Sequence, residues 1–485
     1  MLNLKNPDLL RKHAYINGQW IDSDSGETLD VINPASGETV ATIASCGADE
    51  TRRAIEGANE AWPEWRDLTV KERAKILRDW YNLIVDNADD LAKILTAEQG
   101  KPLAEARTEI LYGANYLEWF AEEAKRAYGD VIAPPSKDKR IVVIKQPVGV
   151  TASITPWNFP SAMIARKVAP ALAAGCTFVA KPASETPLSA LAMAVLAEQA
   201  GVPKGVFSVV VGKSSRAIGK EMTTNPLVRK FTFTGSTAVG KQLQAQCAET
   251  IKKTSMELGG NAPFIVFDDA DIDEAVKGAI VCKYRNAGQT CVCANRILVQ
   301  ESVFDVFAEK FSAAVNALKL GNGMEEGVDV GPMINPGAVN DVRALVEDAI
   351  SKGAKNLNEG GPSELGECFY TPTVVSGVDD TMKLFREEIF GPIAPLYKFS
   401  SEEEAIQIAN DTEFGLASYF YARDIGRIWR VAEGLEYGMV GINEGIISNE
   451  MAPFGGIKQS GTGREGSKYG IDDYLEIKYL CMGGI

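Results

Sequence analysis

Between residues 141 and 248 the chain changes period repeatedly. IVVIKQPVGVTASITP (141–156), TFVAKPA (177–183), FSVVVG (207–212) and RKFTFTG (229–235) read as strands, and helical patterns of roughly ten residues separate the later ones. Strands alternating with helices of that length predict a parallel, doubly wound α/β sheet. The helix after TFVAKPA takes Thr186 as N-cap and Pro187 as its first residue, with Leu188, Leu191 and Val195 on one face and Gly201 placed to end it. Upstream, residues 48 to 128 carry apolar residues at spacings of three and four, which predicts helix throughout. YGDVIAPPSKDKR (128–140) breaks that pattern as a loop or an edge excursion. Beyond Gly260 the alternation resumes in longer units and closes with GMVGINEG (438–445) and a β-like tail, DYLEIKYLCM (473–482).

Bulk properties narrow the chemistry. A chain of 485 residues has room for two or three domains. Its net charge of −15 disfavours nucleic acid and anionic membranes as partners. The longest nearly apolar run, VAPALAAGCTFVA (168–180), is too short to span a bilayer, and the N-terminus shows no secretory h-region. Eight irregularly spaced cysteines do not form a disulfide framework, so a reducing cytoplasm is the expected location. The single histidine, His13, lies at the extreme N-terminus. A Ser-His-Asp or Cys-His hydrolase would have to recruit it, and CVC without a second pair gives no zinc site, so no metal is expected.

That leaves NAGQTCVCANR (286–296) with a question: what would activate either cysteine? FTGSTAVGKQ (233–242) is nearly a Walker A loop, but Gln242 stands where Mg²⁺ needs Ser or Thr, and G-x-G-x-x-G is absent as well. What survives is a glycine turn at a helix N-terminus, either a phosphate site or a turn with no ligand. TPWNFP (155–160) is a rigid corner ending a strand. AKPASETP (180–187) puts Lys181 at a strand end, where parallel sheets bind ligands. MELGGNAPFIVFDDAD (256–271) places Glu257 before a Gly-Gly pair, and REEIFGPIAP (386–395) holds Glu388 and Phe390 before a Gly-Pro turn. Taken singly, these read equally as a capped turn, a surface lysine and ion-paired glutamates.

Together, and in this order, the motifs resemble the aldehyde dehydrogenase superfamily. With NPASGE (33–38), AEQGKP (97–102) and PFGGIKQSGTGREGSKYGIDDYLEIKYLCMGG (453–484), the resemblance spans nearly the whole chain. CVCANR and the C-terminal stretch are most similar to its bacterial succinate-semialdehyde branch. The resemblance implies a Rossmann-like dinucleotide-binding domain (1–124 and 148–258), a catalytic α/β domain (259–455) and a small β oligomerisation element (125–147 and 456–485). Cys291 is then the nucleophile, and the Asn158 amide with the Cys291 N–H binds the oxyanion. Glu257 activates the water that hydrolyses the thioester, so a carboxylate supplies the base that histidine does not. Lys181 would hold the adenosine ribose and Gly235 with Ser236 the pyrophosphate. Leu258 would lie near the nicotinamide, Glu388 and Phe390 would hold its ribose and ring edge, and Trp157 would line the cleft.

A distal carboxylate on the substrate calls for cationic partners, which the resemblance assigns to Arg166 and Arg285, with Ser448 as a hydroxyl donor. Succinate semialdehyde fits, as does another ω-carboxy aldehyde such as glutarate semialdehyde. Many NAD-preferring relatives carry a glutamate three residues after the lysine; Ser184 stands there, so NADP is expected to serve at least as well as NAD. The tail implies a homodimer or a dimer of dimers. Cys293 reads either as buried filler or as a resolving thiol for an oxidised Cys291. The rival classes are a P-loop nucleotide-binding protein, which Gln242 disfavours, and a non-enzymatic redox protein built on CVC.

Overall fold

The alternation builds two large sheets, of eight and seven strands. In this computed structural model, which describes residues 2–485, the chain opens with two hairpins, β1 (Ala14–Ile16) with β2 (Gln19–Ile21) and β3 (Thr28–Ile32) with β4 (Thr39–Ala44). Four helices follow: α1 (Ala48–Asp67), α2 (Val70–Asp86), α3 (Ala88–Gln99) and α4 (Leu103–Glu123). β5 (Asp130–Ile132) and β6 (Lys139–Pro147) form an exposed ribbon. The alternating units are β7 (Val150–Ile154), α5 (Ala162–Ala174), β8 (Thr177–Lys181), α6 (Leu188–Gln199), β9 (Phe207–Val209), α7 (Ser215–Thr224), β10 (Val228–Thr234), α8 (Thr237–Ala248) and β11 (Lys253–Glu257). A second set holds β12 (Ala262–Val266), α9 (Ile272–Tyr284) and β13 (Ala294–Gln300). The short strands β14 (Lys355–Asn356), β15 (Gly361–Pro362) and β16 (Tyr370–Thr371) come next, then β17 (Thr373–Ser376), β18 (Ile393–Phe399), β19 (Ala417–Tyr421) and β20 (Met439–Ile442). The tail adds β21 (Gly461–Thr462) and β22 (Leu475–Gly483).

In the first sheet the order is β2-β1-β9-β8-β7-β10-β11-β21, and β9 through β11 are mutually parallel. From β7 the chain steps outward to β8 and β9, then returns to build β10 and β11 on the other side. That reversal makes a crevice at the carboxyl ends of β7 and β10, the place where such sheets bind ligands. The second sheet runs β14-β17-β18-β13-β12-β19-β20, parallel from β17 to β20. Each sheet has its own buried cluster, and no helix among the described residues is long and apolar enough to cross a membrane.

Two local outcomes differ from the sequence reading. α6 begins at Leu188 with Pro187 as its cap residue, and the Thr186 hydroxyl, though buried, bonds to nothing. The cap comes from the end of α3: the Glu98 carboxylate accepts the N–H groups of Leu188 at 2.6 Å and Ser189 at 2.8 Å. The C-terminal stretch also divides. Leu475–Gly483 pairs along β6, whereas Gly461–Thr462 runs antiparallel to the end of β11 in the first sheet.

Candidate active site

The loop carrying Cys291 starts where α9 ends, and its backbone is strained. Asn286 and Ala287 adopt φ of +52° and +54°, a costly pair for residues with a Cβ. Side chains from elsewhere hold the strain. The Asn286 N–H donates to Glu105 Oε2 at 2.9 Å, and its Oδ1 accepts from Gln99 Nε2 at 2.8 Å. Its Nδ2 donates to the Asn158 carbonyl at 3.0 Å and the Gln289 carbonyl at 3.2 Å. Gly260 admits the loop: a Cβ there would lie 2.4 Å from the Cys291 carbonyl oxygen. Cys291 then faces a cavity of about 320 Å³ whose wall includes Arg166, Arg285, Ser448, Phe159 and Phe454. Burial, with a contribution from Glu388, pushes its thiol up to about 12, so the resting sulfur is protonated.

Asn158 follows β7 and is buried. Its Nδ2 donates to the Gln289 carbonyl at 3.0 Å, two residues before the nucleophile, and its Oδ1 has no partner. Glu257 ends β11, and neither of its carboxylate oxygens is hydrogen-bonded. Burial, reinforced by the nearby Glu465, holds its carboxyl well above the ordinary range. Glu465 behaves oppositely. Burial works against its charge too, but Lys167 and Arg166 bind it and keep its pKa low.

That pair of contacts separates the two arginines. Arg166 is 1% exposed, pairs with Glu465 at 2.6 Å and has its guanidinium carbon 3.9 Å from the Phe454 ring centroid, and it shares that one carboxylate with Lys167. Arg285, whose guanidinium carbon sits 5.5 Å from the Phe159 ring centroid, makes no ion pair among the described residues. Glu465 and Lys167 escaped the sequence reading. Glu465 lies inside the quoted GREGSKYG stretch and Lys167 directly follows Arg166, but nothing in a linear sequence joins residues 298 positions apart.

Most of the candidate dinucleotide residues follow the carboxyl ends of β7, β8, β10 and β11. α8 begins at Thr237 with Ser236 in the cap position and no side-chain cap, which leaves first-turn N–H groups available to an anion. A Cβ on Gly240 would lie 2.3 Å from Leu258, so the helix rests directly on that side chain. Glu388 accepts the Gly260 N–H at 3.1 Å, and burial raises its carboxyl to about 7. Trp157 and Phe390 meet edge to face with centroids 5.6 Å apart, and Phe390 holds φ +47°. One strand away, Lys181 is buried at the end of β8 and donates to the Pro182 carbonyl at 3.0 Å; burial lowers its ammonium to about 8. Ser184 Oγ donates to the Gly212 carbonyl at 3.1 Å. Cys293 is buried, its thiol donates to the Lys283 carbonyl at 3.1 Å, and both Cys291 and Cys293 are free.

The aldehyde dehydrogenase family model matches residues 20–480. A glutarate-semialdehyde dehydrogenase of Pseudomonas aeruginosa is 63% identical over 484 residues, covering 100% of both chains. An NADP(+) succinate-semialdehyde dehydrogenase of Escherichia coli is 61% identical over 482 residues, covering 99% of this chain and 100% of that one. Among solved structures, a succinate-semialdehyde dehydrogenase from Burkholderia pseudomallei superposes with a TM-score of 0.98 at 62% identity, covering 99% of this chain and 100% of that chain.

Proposed function

The chain belongs to the aldehyde dehydrogenase family and is an NAD(P)-dependent oxidoreductase, and from that premise we propose that it oxidises succinate semialdehyde to succinate with NADP. The observation that carries the substrate class is Arg285, a cation without an ion pair on the wall of the Cys291 cavity. A carboxylate at the far end of the aldehyde would pair with it directly, and Ser448 adds a hydroxyl. Arg166, which shares the Glu465 carboxylate with Lys167, adds a second guanidinium to the same wall. Glutarate semialdehyde is the second reading, favoured by the Pseudomonas relative at 63% identity.

The crevice fits a dinucleotide: the uncapped start of α8 suits a pyrophosphate, and Leu258, Trp157, Phe390 and Glu388 suit a nicotinamide riboside. Lys181 and Ser184 face the adenosine end, where neither carries a negative charge against a 2′-phosphate. A dinucleotide held there would supply the hydride acceptor that oxidation of the Cys291 adduct to a thioester requires. The protein's own residues do the rest. The Cys291 sulfur gives its proton to the Glu257 carboxylate, which passes it to solvent, and adds to the aldehyde carbon, while the Asn158 amide with the Cys291 N–H receives the oxyanion. Glu257 takes a proton from the water that hydrolyses the thioester, and a carboxyl whose pKa burial has raised is the stronger base once ionised.

In this reading residues 1–124 and 148–258 bind the dinucleotide and 259–455 carry the nucleophile. The ribbon of 125–147, with the tail from 456 to 485, joins copies into a homodimer or tetramer. Cys293 serves as a resolving thiol if mild peroxide inactivates the enzyme reversibly and Cys293→Ala abolishes the recovery. The decisive assay compares succinate and glutarate semialdehydes with uncharged aldehydes of equal length, in wild type and in Arg285→Met. The ω-carboxy aldehydes should be preferred, and Arg285→Met should erase that preference mainly through KM. Equal use of charged and neutral aldehydes by the wild type would sink the proposal.

A further inference from the structure

The EQGKP turn (98–102) reaches both the Asn158 segment and the Asn286 loop, yet the proposed chemistry gives it no task. Lys101 is 1% exposed. Its ammonium donates to Glu109 Oε2 at 2.6 Å and to the Asn158 carbonyl at 2.7 Å, and it sits 3.8 Å from the centroid of the Phe159 ring. The other oxygen of Glu109 accepts the N–H groups of Ser161 at 3.0 Å and Ala162 at 3.2 Å, where α5 begins. Segment 158–162 is therefore gripped at both ends by one buried ion pair. Gln99, two residues before Lys101, holds Asn286, and Asn286 supplies the second donor to the same Asn158 carbonyl.

An ion pair this deeply buried is a poor source of stability, because desolvation offsets the attraction and an apolar pair of similar size would serve as well. Its geometry gives it a different use. We propose that Lys101 is a positioning residue for the dehydrogenation: through the Asn158 carbonyl it fixes the peptide from which the Asn158 amide is aimed at the oxyanion. One Asn158 N–H is bound to the Gln289 carbonyl and the backbone carbonyl is bound to Lys101 and Asn286, so the remaining N–H has a defined direction. Lys101 also lines the cavity, but its ammonium is turned to Glu109 and Asn158 rather than left free as Arg285 is. The inference rests on Asn158 being the oxyanion donor.

The test is a double-mutant cycle on the full-length enzyme with succinate semialdehyde and NADP, comparing wild type, Lys101→Met, Asn158→Ala and the double variant. Lys101→Met should lower kcat by roughly 10- to 100-fold, the scale of a small misplacement in a site, and leave the aldehyde KM within about twofold. In the Asn158→Ala background the same change should cost nothing further, because the amide it positions is gone. Lys101→Gln, which keeps an N–H donor, should recover part of kcat, and it carries the same cycle should Lys101→Met fail to fold. Equal losses in both backgrounds, no loss in the wild-type background, or a loss confined to the aldehyde KM would each overturn the positioning role alone. Full turnover by Asn158→Ala would overturn the oxyanion reading, and this inference with it.

Discussion

Burial moves the Cys291 thiol and the Glu257 carboxyl in the same direction, toward their protonated forms. In the proposed roles both must therefore lose a proton, and each loss has a measurable signature. In cofactor-free enzyme the thiolate fraction rises tenfold per pH unit while pH stays below the thiol pKa. Alkylation of Cys291 should climb with a slope near one between about pH 7 and 10, and a plateau near neutrality would show a thiolate already formed. Steady-state kcat should rise with pH as Glu257 ionises. Glu257→Gln should remove that limb, giving one burst of reduced cofactor per site and then a stall at the thioester. Continued turnover in that variant would take Glu257 out of the base role. For the proposed NADP preference the residue to test is Ser184, whose hydroxyl donates to the Gly212 carbonyl. Ser184→Glu places a negative charge beside Lys181, so the ratio of kcat/KM values should swing from NADP toward NAD. A wild type that already strongly prefers NAD would contradict the assignment.

Strand ends were the legible part of the site because sequence period and turn chemistry are local properties. Asn158, Lys181, Gly235 and Glu257 each close or follow a run of alternating or apolar residues, and each stands at the carboxyl edge of the first sheet. The frame behind them was not legible. Glu465 meets Lys167 across 298 positions, Lys101 meets Asn158 across 57, and no local pattern encodes either contact. The start of α6 makes the same point at the level of an element: Thr186-Pro187 has a good cap sequence, yet Glu98 in another helix does the capping. Removing that carboxylate leaves two buried N–H groups unpaired, so Glu98→Ala should cost about 1–3 kcal/mol, read as a lower denaturation midpoint. A midpoint unchanged within error would mean that the cap carries no energy. The cap is also pH-sensitive. Burial raises Glu98 to about 8, so folded protein keeps a proton that the unfolded chain releases near the ordinary carboxylate value of 4.5. Through that window the folded state binds more protons, and the Glu98 contribution to stability should fall as pH rises toward about 8 and level off above it.

At the scale of the whole molecule, the ribbon of β5, β6 and β22 has too little protein behind it to be stable in water by itself. β22 pairs with β6 over nine residues, but Val131 is 86% exposed, Ile477 73%, Tyr479 61% and Ile485 65%. A three-stranded sheet presenting that many apolar side chains, with unpaired edges, is a template for another chain. Its root is fixed rather than free: the Val148 N–H donates to the Tyr474 carbonyl at 3.0 Å, Lys253 Nζ donates to the Leu475 carbonyl at 2.6 Å and Ser255 Oγ donates to Asp473 at 2.7 Å. The last two bonds anchor the tail of the ribbon to β11, the strand that ends in Glu257. On the proposed homo-oligomer the occupant is a second copy of the chain, because a closed two-fold contact would bury the same apolar strip on both partners at once. Ile477→Lys combined with Val131→Lys should therefore convert the oligomer to monomer in light scattering while leaving the far-ultraviolet circular dichroism unchanged. Activity per folded chain should fall less than the mass does, since the Cys291 cavity and the crevice of the first sheet are lined within one chain. An unchanged particle mass would show that the ribbon is not the contact, and a monomer with no activity would show that the site is completed across it.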